Sequence, residues 1–319
     1  MKKYEDIAIN THGLIKLQIV ILSRDRPETL KQAIDSVLAQ NKSATEFELI
    51  VSDNSENEDV RRMISKNYGN NDFKLVIRNP PLSSREHFQI IISELSNDYA
   101  VLFHDDDVMC FDYVEVMSSF LNSNNQVASA IGCNASVFKK DILQPVQQMH
   151  SFDCIKRFDN QSDFLSQYLF GKGGKAPFPS YMYNTRFLKK IPIALLPCGK
   201  HGDVTLLSSL LEYASIFWLP NSLMHYRLHG SNDNNTYSAP NRICLLNYMV
   251  QSGLKRDDDL IVLFRCDFWY KWFVGQSIKN IFLWRNRIVL KYLLRKFFYF
   301  MTKKIFWKGF AARIKKDFL

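Results

Sequence analysis

Three consecutive carboxylates, Asp105, Asp106 and Asp107, directly follow the apolar run YAVLFH, and we refer to them as the acid triplet. Carboxylates this close repel one another and raise each other's pKa values. One acid is enough to cap a helix, so a cap accounts for only part of the triplet. A divalent cation removes the repulsion, and such ions commonly bind one or two carboxylates together with substrate phosphates. The triplet therefore predicts a metal–phosphate site, with a plain helix cap as the alternative.

Polar residues also follow two earlier apolar runs. LQIVIL is followed by SRDR at residues 23–26, and FELIV is followed by SDNS at residues 52–55. Short runs with β-branched residues predict strands, and helically spaced apolar residues follow the first of them. Because parallel sheets bind ligands at the carboxyl ends of their strands, we expect these two segments and the acid triplet to line one crevice.

The elements that must position these groups alternate between strand and helix over the first hundred residues. Short links between them predict a parallel sheet covered by helices. The last third of the chain is instead helical, aromatic and basic in its pattern. The predicted strands are at 17–22, 47–55, 73–79, 99–104, 127–138 and 181–187. One predicted helix starts at Pro27, and the others cover 60–68, 84–95 and 203–213. Residues 216–235 are predicted to form a strand, a turn, a second strand and a polar loop.

Composition and cysteine usage indicate a globular cytoplasmic protein. Of the 319 residues, 46% are hydrophobic and 23% are charged, which excludes a disordered chain. The six cysteines are scattered without a CxxC pair, which gives no support to a cysteine metal site or a disulfide framework. No apolar run reaches the roughly 20 residues that span a bilayer, and the first residues lack the apolar region of a signal peptide.

The net charge of +9 is concentrated in one segment. Residues 271–319 contain 13 Lys and Arg and one acid, a net charge of +12, which leaves −3 for residues 1–270. Phe, Tyr and Trp are interleaved with these cations, which favours a membrane surface over nucleic acid as the partner. We expect this segment to hold the protein peripherally at the inner face of the cell membrane. A purely structural helical cap is the alternative.

The segments IVILSRDRPETLKQAIDSVLAQ, FELIVSDNS and VLFHDDDVM occur in this order over about 110 residues. Together they resemble the nucleotide-binding half of the family 2 glycosyltransferases with the GT-A fold. The resemblance implies an α/β, Rossmann-like and mostly parallel sheet flanked by helices. It implies a GT-A domain over residues 1–235, with a nucleotide-binding half at 15–110 and an acceptor half at 111–235. Residues 236–319 are expected to form a basic helical extension, which the resemblance does not cover.

The resemblance implies roles for four residues of the first two polar segments. Asp53 matches the acid that hydrogen-bonds to the base of the donor, usually uracil. Ser23, Asp25 and Arg26 match the loop that packs around the base and the ribose. From the residues alone, Asp53 also fits an Asx turn after a strand, and Arg26 also fits a solvated residue at a helix start. These alternatives stay open.

For the metal, expected to be Mn²⁺ or Mg²⁺, the resemblance implies Asp105 and Asp107 as ligands. Asp106 takes the variable position of the motif and is implied to reach ribose or sugar hydroxyls. The segment YRLHGSN resembles a further family motif, in which His229 ligates the metal or binds the diphosphate and Arg227 helps neutralise it. A lone histidine more often has a structural role, which is the alternative for His229.

The general base is predicted at Asp203. This residue begins the predicted helix 203–213 and matches the carboxylate that deprotonates the acceptor hydroxyl in inverting members. A positioned base contributes about 10²–10⁴-fold in rate; a helix cap is the alternative role.

The sequence departs from the family pattern in the helix before the acid triplet, where many relatives carry an Asn or Arg. Arg85 and Gln89 are the candidates here, and neither is assigned, while His104 is expected to pack at its strand end.

The resemblance implies an inverting, metal-dependent transfer of a hexose or N-acetylhexosamine from a nucleotide sugar, most often a UDP-sugar. The implied acceptor is a glycan or lipid-linked glycan in bacterial surface polysaccharide synthesis, and no nucleic acid is expected to bind. Two other functions remain open. A non-catalytic membrane-bound scaffold would keep the fold without the chemistry. A sugar nucleotidyltransferase would carry a glycine-rich loop after the first strand, and SRDRPETL contains no glycine.

Overall fold

The computed structural model of the protein shows strands and helices in the alternating order that the sequence predicts for its first hundred residues. It describes residues 15–41, 45–69, 72–123, 127–139, 147–149, 151–170, 173–192, 201–228 and 239–255, and scattered positions between 261 and 307. The strands are β1 (Leu17–Ser23), β2 (Phe47–Asp53), β3 (Lys74–Ile77), β4 (Tyr99–His104), β5 (Val108–Met109), β6 (Ala128–Lys139), β7 (Gln147–Gln148), β8 (Lys156–Phe158), β9 (Met182–Asn184) and β10 (Ser215–Leu228). The helices are α1 (Pro27–Leu38), α2 (Asp59–Asn67), α3 (Ser84–Glu94), α4 (Tyr113–Ser123), α5 (Gln161–Phe170), α6 (Thr185–Leu188), α7 (Gly202–Leu210) and α8 (Ala239–Gln251).

The described strands form one ten-stranded sheet in the order β3-β2-β1-β4-β9-β6-β10-β5, with β7 beside β6 and β8 beside β10. The longest ladders are parallel: β1 with β2 and β4, β2 with β3, and β6 with β10. The short ladders that involve β5, β7, β8 and β9 are antiparallel. The predicted α/β class with a mostly parallel central sheet is therefore confirmed.

The centre of the sheet is covered by apolar helix faces. Leu30, Ala33, Ile34 and Val37 are the buried residues of α1, and their spacing at three and four residues places them on one side of the helix. β1 has buried residues on both faces, as expected for a central strand of a parallel sheet. The two elements fix the loop between them, which carries the first polar segment.

β10 corrects one prediction. The sequence P-N-S at residues 220–222 predicts a turn between two strands, but the structure has a single strand there. The pairing of β10 with β6 shifts between Leu219 and Ser222, so that Pro220 and Asn221 have no partner in β6. A bulge accommodates a proline because the residues within it do not need to donate to the ladder. Pro220 and Asn221 thus lie in a bulge of β10 and not in a turn between two strands.

The chain divides into two compact units. One comprises residues 1–196 and 206–235 and contains the sheet, and the other comprises residues 197–205 and 236–319. Most of the predicted basic extension lies outside the described residues, and so do residues 229–238 with the predicted ligand His229. Among the helices that the structure describes, none combines the length and the apolar character needed to cross a bilayer.

Candidate functional site

The three polar segments meet at one edge of the sheet. In the parallel ladders Ser23 at the end of β1 is in register with Asp53 at the end of β2, and Leu22 is in register with His104 at the end of β4. The carboxyl ends of these three strands therefore lie side by side, as the sequence predicts. The acid triplet continues directly from β4 into this edge.

Asp53 is fully buried at the end of β2. Its Oδ1 accepts a hydrogen bond of 3.0 Å from the Ser55 backbone N–H, which is the Asx turn considered as the alternative for this residue. Its Oδ2 accepts from Arg61 Nε of α2 at 3.3 Å. The contact between Asp53 and a nucleotide base stays a prediction. Sequence reasoning missed Arg61, because no local pattern connects a residue of α2 with the strand before it.

Asp25 joins the first polar segment to the second. Its backbone N–H donates to Ser55 Oγ, and its Oδ1 accepts from the Glu56 N–H, both at 2.9 Å. Its φ of 53° lies in the left-handed region, which an aspartate adopts at a cost and which these hydrogen bonds maintain. The carboxylate of Asp25 thus has a partner within the protein. In contrast, the buried Ser23 Oγ has no hydrogen-bond partner among the described residues.

The three carboxylates of the acid triplet have different surroundings. Asp105 accepts from the Arg24 N–H at 2.9 Å and from Arg26 Nη1 at 3.2 Å. Asp106 Oδ2 accepts from the same Arg26 nitrogen at 2.9 Å. Asp107 Oδ1 accepts from the Arg227 N–H at 2.9 Å, but Asp107 Oδ2 is buried and has no partner in the described part of the chain.

Burial makes the charged form of two of these acids costly. It raises the pKa of Asp105 to about 6, although the Arg24 N–H and the Arg26 charge both favour the carboxylate. Burial, followed by the charge of Asp106, raises the pKa of Asp107 well above its ordinary value. A nearby cation would reverse this cost, since a bound divalent ion becomes the largest local charge.

The residues at this turn fit a divalent cation. His104, Asp106 and Asp107 each offer one ligand atom, and these atoms lie within 4.8 Å of one another. The partnerless oxygen of Asp107 is the hard ligand that Mg²⁺ or Mn²⁺ prefers. The group differs from the predicted pair, because the Asp105 oxygens accept from Arg24 and Arg26. Ligation by Asp105 and Asp107 stays a prediction.

His104 is expected from the sequence to pack at the end of its strand. Its ring does so, since it lies 6.2 Å from the ring of Phe178, measured between centroids. It also joins the candidate metal-binding group. The position of His104 immediately before the triplet was the one signal in the sequence for that second role.

Arg227, a residue of β10, binds two members of the acid triplet, Asp106 and Asp107. Besides its backbone bond to Asp107, its Nε donates to the Asp106 carbonyl oxygen at 2.7 Å and its Nη2 donates to Gln32 Oε1 at 2.5 Å. The guanidinium also lies 4.3 Å from the ring centroid of Phe138. Arg227 is buried and these contacts fix the course of the turn, while its neutralisation of a diphosphate stays a prediction.

Asp203 lies in the first turn of α7, as predicted, and belongs to the unit that comprises residues 197–205 and 236–319. Its role as general base stays a prediction. Arg85 and Gln89, the candidates for the missing Asn or Arg of the family, are both exposed on α3. The structure therefore gives no reason to assign either.

Comparison with known proteins gives a family and a fold. The family model described as glycosyl transferase family 2 matches residues 18–183, which is just over half of the chain. Abequosyltransferase RfbV of Salmonella typhimurium is 24% identical over 113 residues, 35% of this chain and 34% of that protein. The matched part thus spans about a third of the length of this relative.

Among solved structures, S. aureus TarS 1-349 in complex with UDP-GlcNAc has a TM-score of 0.62 at 13% identity, covering 84% of this chain and 77% of that chain. A crystal structure of S. aureus TarS has a TM-score of 0.56 at 12% identity, covering 84% of this chain and 46% of that chain. At these identities the likeness concerns the fold. It confirms the predicted central sheet flanked by helices.

Proposed function

The chain belongs to glycosyl transferase family 2, and we propose that it is an inverting, metal-dependent enzyme that transfers a hexose or N-acetylhexosamine from a nucleoside diphosphate. The observation that carries this proposal is the acid triplet at the edge where β1, β2 and β4 end, with one buried carboxylate oxygen left without a partner in the described residues. A protein that needed the triplet only as a helix cap would have no use for that oxygen.

The donor is proposed to be a UDP-sugar. Asp53, at the end of β2, is the candidate contact for the base, with Ser23, Asp25 and Arg26 of the neighbouring loop around base and ribose. The Ser23 Oγ is buried without a partner among the described residues and is able to donate to a ligand. Support for uridine comes from S. aureus TarS, which shares this fold and was solved with UDP-GlcNAc.

The candidate residues for holding Mn²⁺ or Mg²⁺ are His104, Asp106 and Asp107, with Asp105 and His229 as the further ligands that the sequence predicts. When bound, such an ion offsets the negative charge that develops on the departing nucleoside diphosphate. Arg227 orients the triplet through the Asp106 carbonyl and the Asp107 carboxylate. The protein thus contributes a turn whose carboxylates are already positioned for the ion.

Asp203 is proposed as the general base. Its carboxylate would take the proton of the acceptor hydroxyl while the oxygen attacks the anomeric carbon on the face opposite the diphosphate, so that the configuration inverts in one displacement. This carboxylate lies in the first turn of α7.

The acceptor is proposed to be a glycan or lipid-linked glycan of a bacterial surface polysaccharide, bound by a domain that ends near residue 235. Residues 236–319 are proposed to rest on the inner face of the cell membrane. The described positions of this segment expose Phe298, Tyr299 and Trp307 beside cations such as Lys303, whose ammonium lies 5.1 Å from the Tyr299 ring centroid. Exposed aromatic rings among cations are typical of interfacial segments.

The test of the donor site is hydrolysis of a panel of UDP-, GDP- and dTDP-sugars by the full chain, with and without Mn²⁺. Turnover of a UDP-sugar that requires the ion supports the proposal. Nucleotide binding without turnover, together with an unchanged melting temperature on adding Mn²⁺, would instead support the scaffold function. Formation of a nucleotide sugar from a nucleoside triphosphate and a sugar phosphate would support the nucleotidyltransferase.

The membrane proposal is tested by sedimentation with vesicles of anionic phospholipid. The full chain is expected to sediment with them, and a chain truncated after residue 280 is expected to remain in the supernatant. Equal sedimentation of both chains would contradict the assignment of this segment to the membrane surface. Neutral vesicles serve as the control, because the charge contribution of each Lys or Arg, about 1 kcal/mol near an anionic surface, is then lost.

A further inference from the structure

We propose that Arg26 is a tethered counter-ion, which pairs with the acid triplet until a divalent cation displaces it and which thereby lowers the affinity of the protein for the free cation. The inference rests on the metal-binding part of the proposed function. Arg26 Nη1 lies 2.9 Å from Asp106 Oδ2 and 3.2 Å from Asp105 Oδ1. Asp106 is also a member of the candidate metal-binding group with His104 and Asp107. The guanidinium and the cation therefore compete for one carboxylate.

The balance of charge at the turn explains why a counter-ion is present. The Arg26 guanidinium pairs with the carboxylates of Asp105 and Asp106, whereas the Arg227 guanidinium donates to the backbone carbonyl oxygen of Asp106. Arg227 is 4% exposed and bound to Gln32, so it is a fixed part of the turn. The side chain of Arg26 is 45% exposed, so its guanidinium can move into water at little cost. Arg26 is accordingly the cation that an incoming metal ion would replace.

In the part of the chain that the structure describes, Asp105 and Asp106 are the only partners of the Arg26 guanidinium. It occupies the N-cap position of α1, but its side chain makes no capping hydrogen bond. The backbone carbonyl of Arg26 accepts from the Leu30 N–H, a bond that any residue at this position can make. Arg26→Gln is therefore expected to fold, and in the absence of nucleotide the effect of the substitution should be confined to the acid triplet.

Arg24 provides a matched control. It lies in the same loop and carries the same charge, but its guanidinium pairs with Glu56 and with the Leu82 carbonyl oxygen. Only its backbone N–H contacts Asp105, and this contact survives a change of side chain. Arg24→Gln thus lowers the net charge of the protein equally while leaving the counter-ion of the triplet in place.

The experiment is titration of the full chain with Mn²⁺ alone, in the absence of nucleotide, followed by the electron paramagnetic resonance signal of free Mn²⁺. Arg26→Gln is expected to bind Mn²⁺ about 3-fold to 10-fold more tightly than the wild type, since two partly exposed ion pairs no longer compete. Arg24→Gln is expected to stay within about twofold of the wild type. Arg26→Ala is a second variant, with the same expectation, if Arg26→Gln does not fold.

Two results overturn the inference. One is an Mn²⁺ affinity of the Arg26 variants that equals or falls below that of the wild type. The other is an equal gain in Arg24→Gln, which would reduce the effect to net charge. These outcomes leave the proposed function intact, because the wild type still binds the ion. Absence of Mn²⁺ binding in every variant would overturn both the inference and the metal dependence from which it proceeds.

Discussion

Replacing Asp107 by Asn is expected to stabilise the metal-free protein and to remove its response to metal. Asp107 Oδ1 accepts from the Arg227 N–H, and the amide oxygen of Asn can accept the same hydrogen bond. The other oxygen, Oδ2, is buried without a partner among the described residues, so a charged carboxylate is costly there, which is why its pKa is raised. The substitution removes this cost and the repulsion from Asp106.

The size of the effect follows from the cost of a buried, unsatisfied polar group. A neutral buried polar group without a hydrogen-bond partner destabilises the folded state by about 1–3 kcal/mol, and a charged group costs more. The Asn amide places an N–H₂ group, which also lacks a partner, where Oδ2 was. The variant therefore recovers only the difference between the costs of burying the charged oxygen and the neutral amide. We expect its free energy of unfolding to rise by about 1–2 kcal/mol. In a chain of 319 residues, 1 kcal/mol corresponds to about 2 °C in melting temperature, so the expected rise is about 2–4 °C.

Mn²⁺ is expected to stabilise the wild type much more than the variant. At a concentration of Mn²⁺ one hundred times the Kd, binding stabilises the wild type by about 2.7 kcal/mol, which is about 5 °C. The variant has lost a proposed ligand and is expected to shift by less than about 1 °C. The order of the two melting temperatures should therefore reverse when Mn²⁺ is added.

The assay is thermal unfolding of both proteins in EDTA and in excess Mn²⁺. Asp112→Asn is the control, because Asp112 is an exposed acid whose replacement removes the same charge away from the triplet. It should leave both melting temperatures close to those of the wild type. A variant that melts below the wild type in EDTA, or that keeps the full Mn²⁺ shift, would refute the reasoning on Asp107.

Three further predictions concern other parts of the molecule. Burial, aided by the charge of Arg78, lowers the pKa of His87 to about 4 from 6.5, so the unfolded state takes up the proton first as the pH falls. Urea titrations give the difference in free energy of unfolding between the wild type and His87→Gln. This difference should be most favourable to the wild type above pH 6.5 and should decline by up to about 3 kcal/mol by pH 4. A rise of the difference on acidification would contradict this. Asp203→Asn should lower kcat about 10²–10⁴-fold with an unchanged Kd for the donor, and a change in Kd alone would remove Asp203 from the chemistry. Gly132→Ala should destabilise the protein by about 1–3 kcal/mol, measured by the urea midpoint, because its Cβ would lie 2.7 Å from the Ala176 Cβ.

Local patterns were sufficient to predict the first half of the sheet. β1, β2, β3 and β4 begin and end within two residues of the predicted bounds, because each is a short apolar run followed by polar residues. The meeting of the three polar segments at one edge follows from the parallel arrangement alone. Neither inference required knowledge of any contact between distant residues.

Contacts across the chain were beyond the reach of the sequence. Nothing local indicates that Arg227 holds a turn 120 residues earlier, or that Arg61 lies against Asp53. The same applies to the hydrogen bond that the Asp25 carboxylate accepts from the Glu56 N–H, while the place of Asp25 in the loop around base and ribose stays a prediction. A pattern of residue types predicts which groups reach the edge of the sheet. It does not predict which of them the protein uses to hold the others, since that depends on tertiary packing.

The buried polar groups near this edge are of two kinds. Ser52 Oγ accepts from Arg78 Nε at 3.0 Å and lies 2.8 Å from His87 Nε2, and Arg78 in turn binds both carboxylate oxygens of Glu94. Each of these side chains has its partner, as structural polar groups do. Asp107 Oδ2, in contrast, is the only buried carboxylate oxygen without a partner among the described residues. Since the fold satisfies a demanding network close by, we infer that it leaves this oxygen for a ligand.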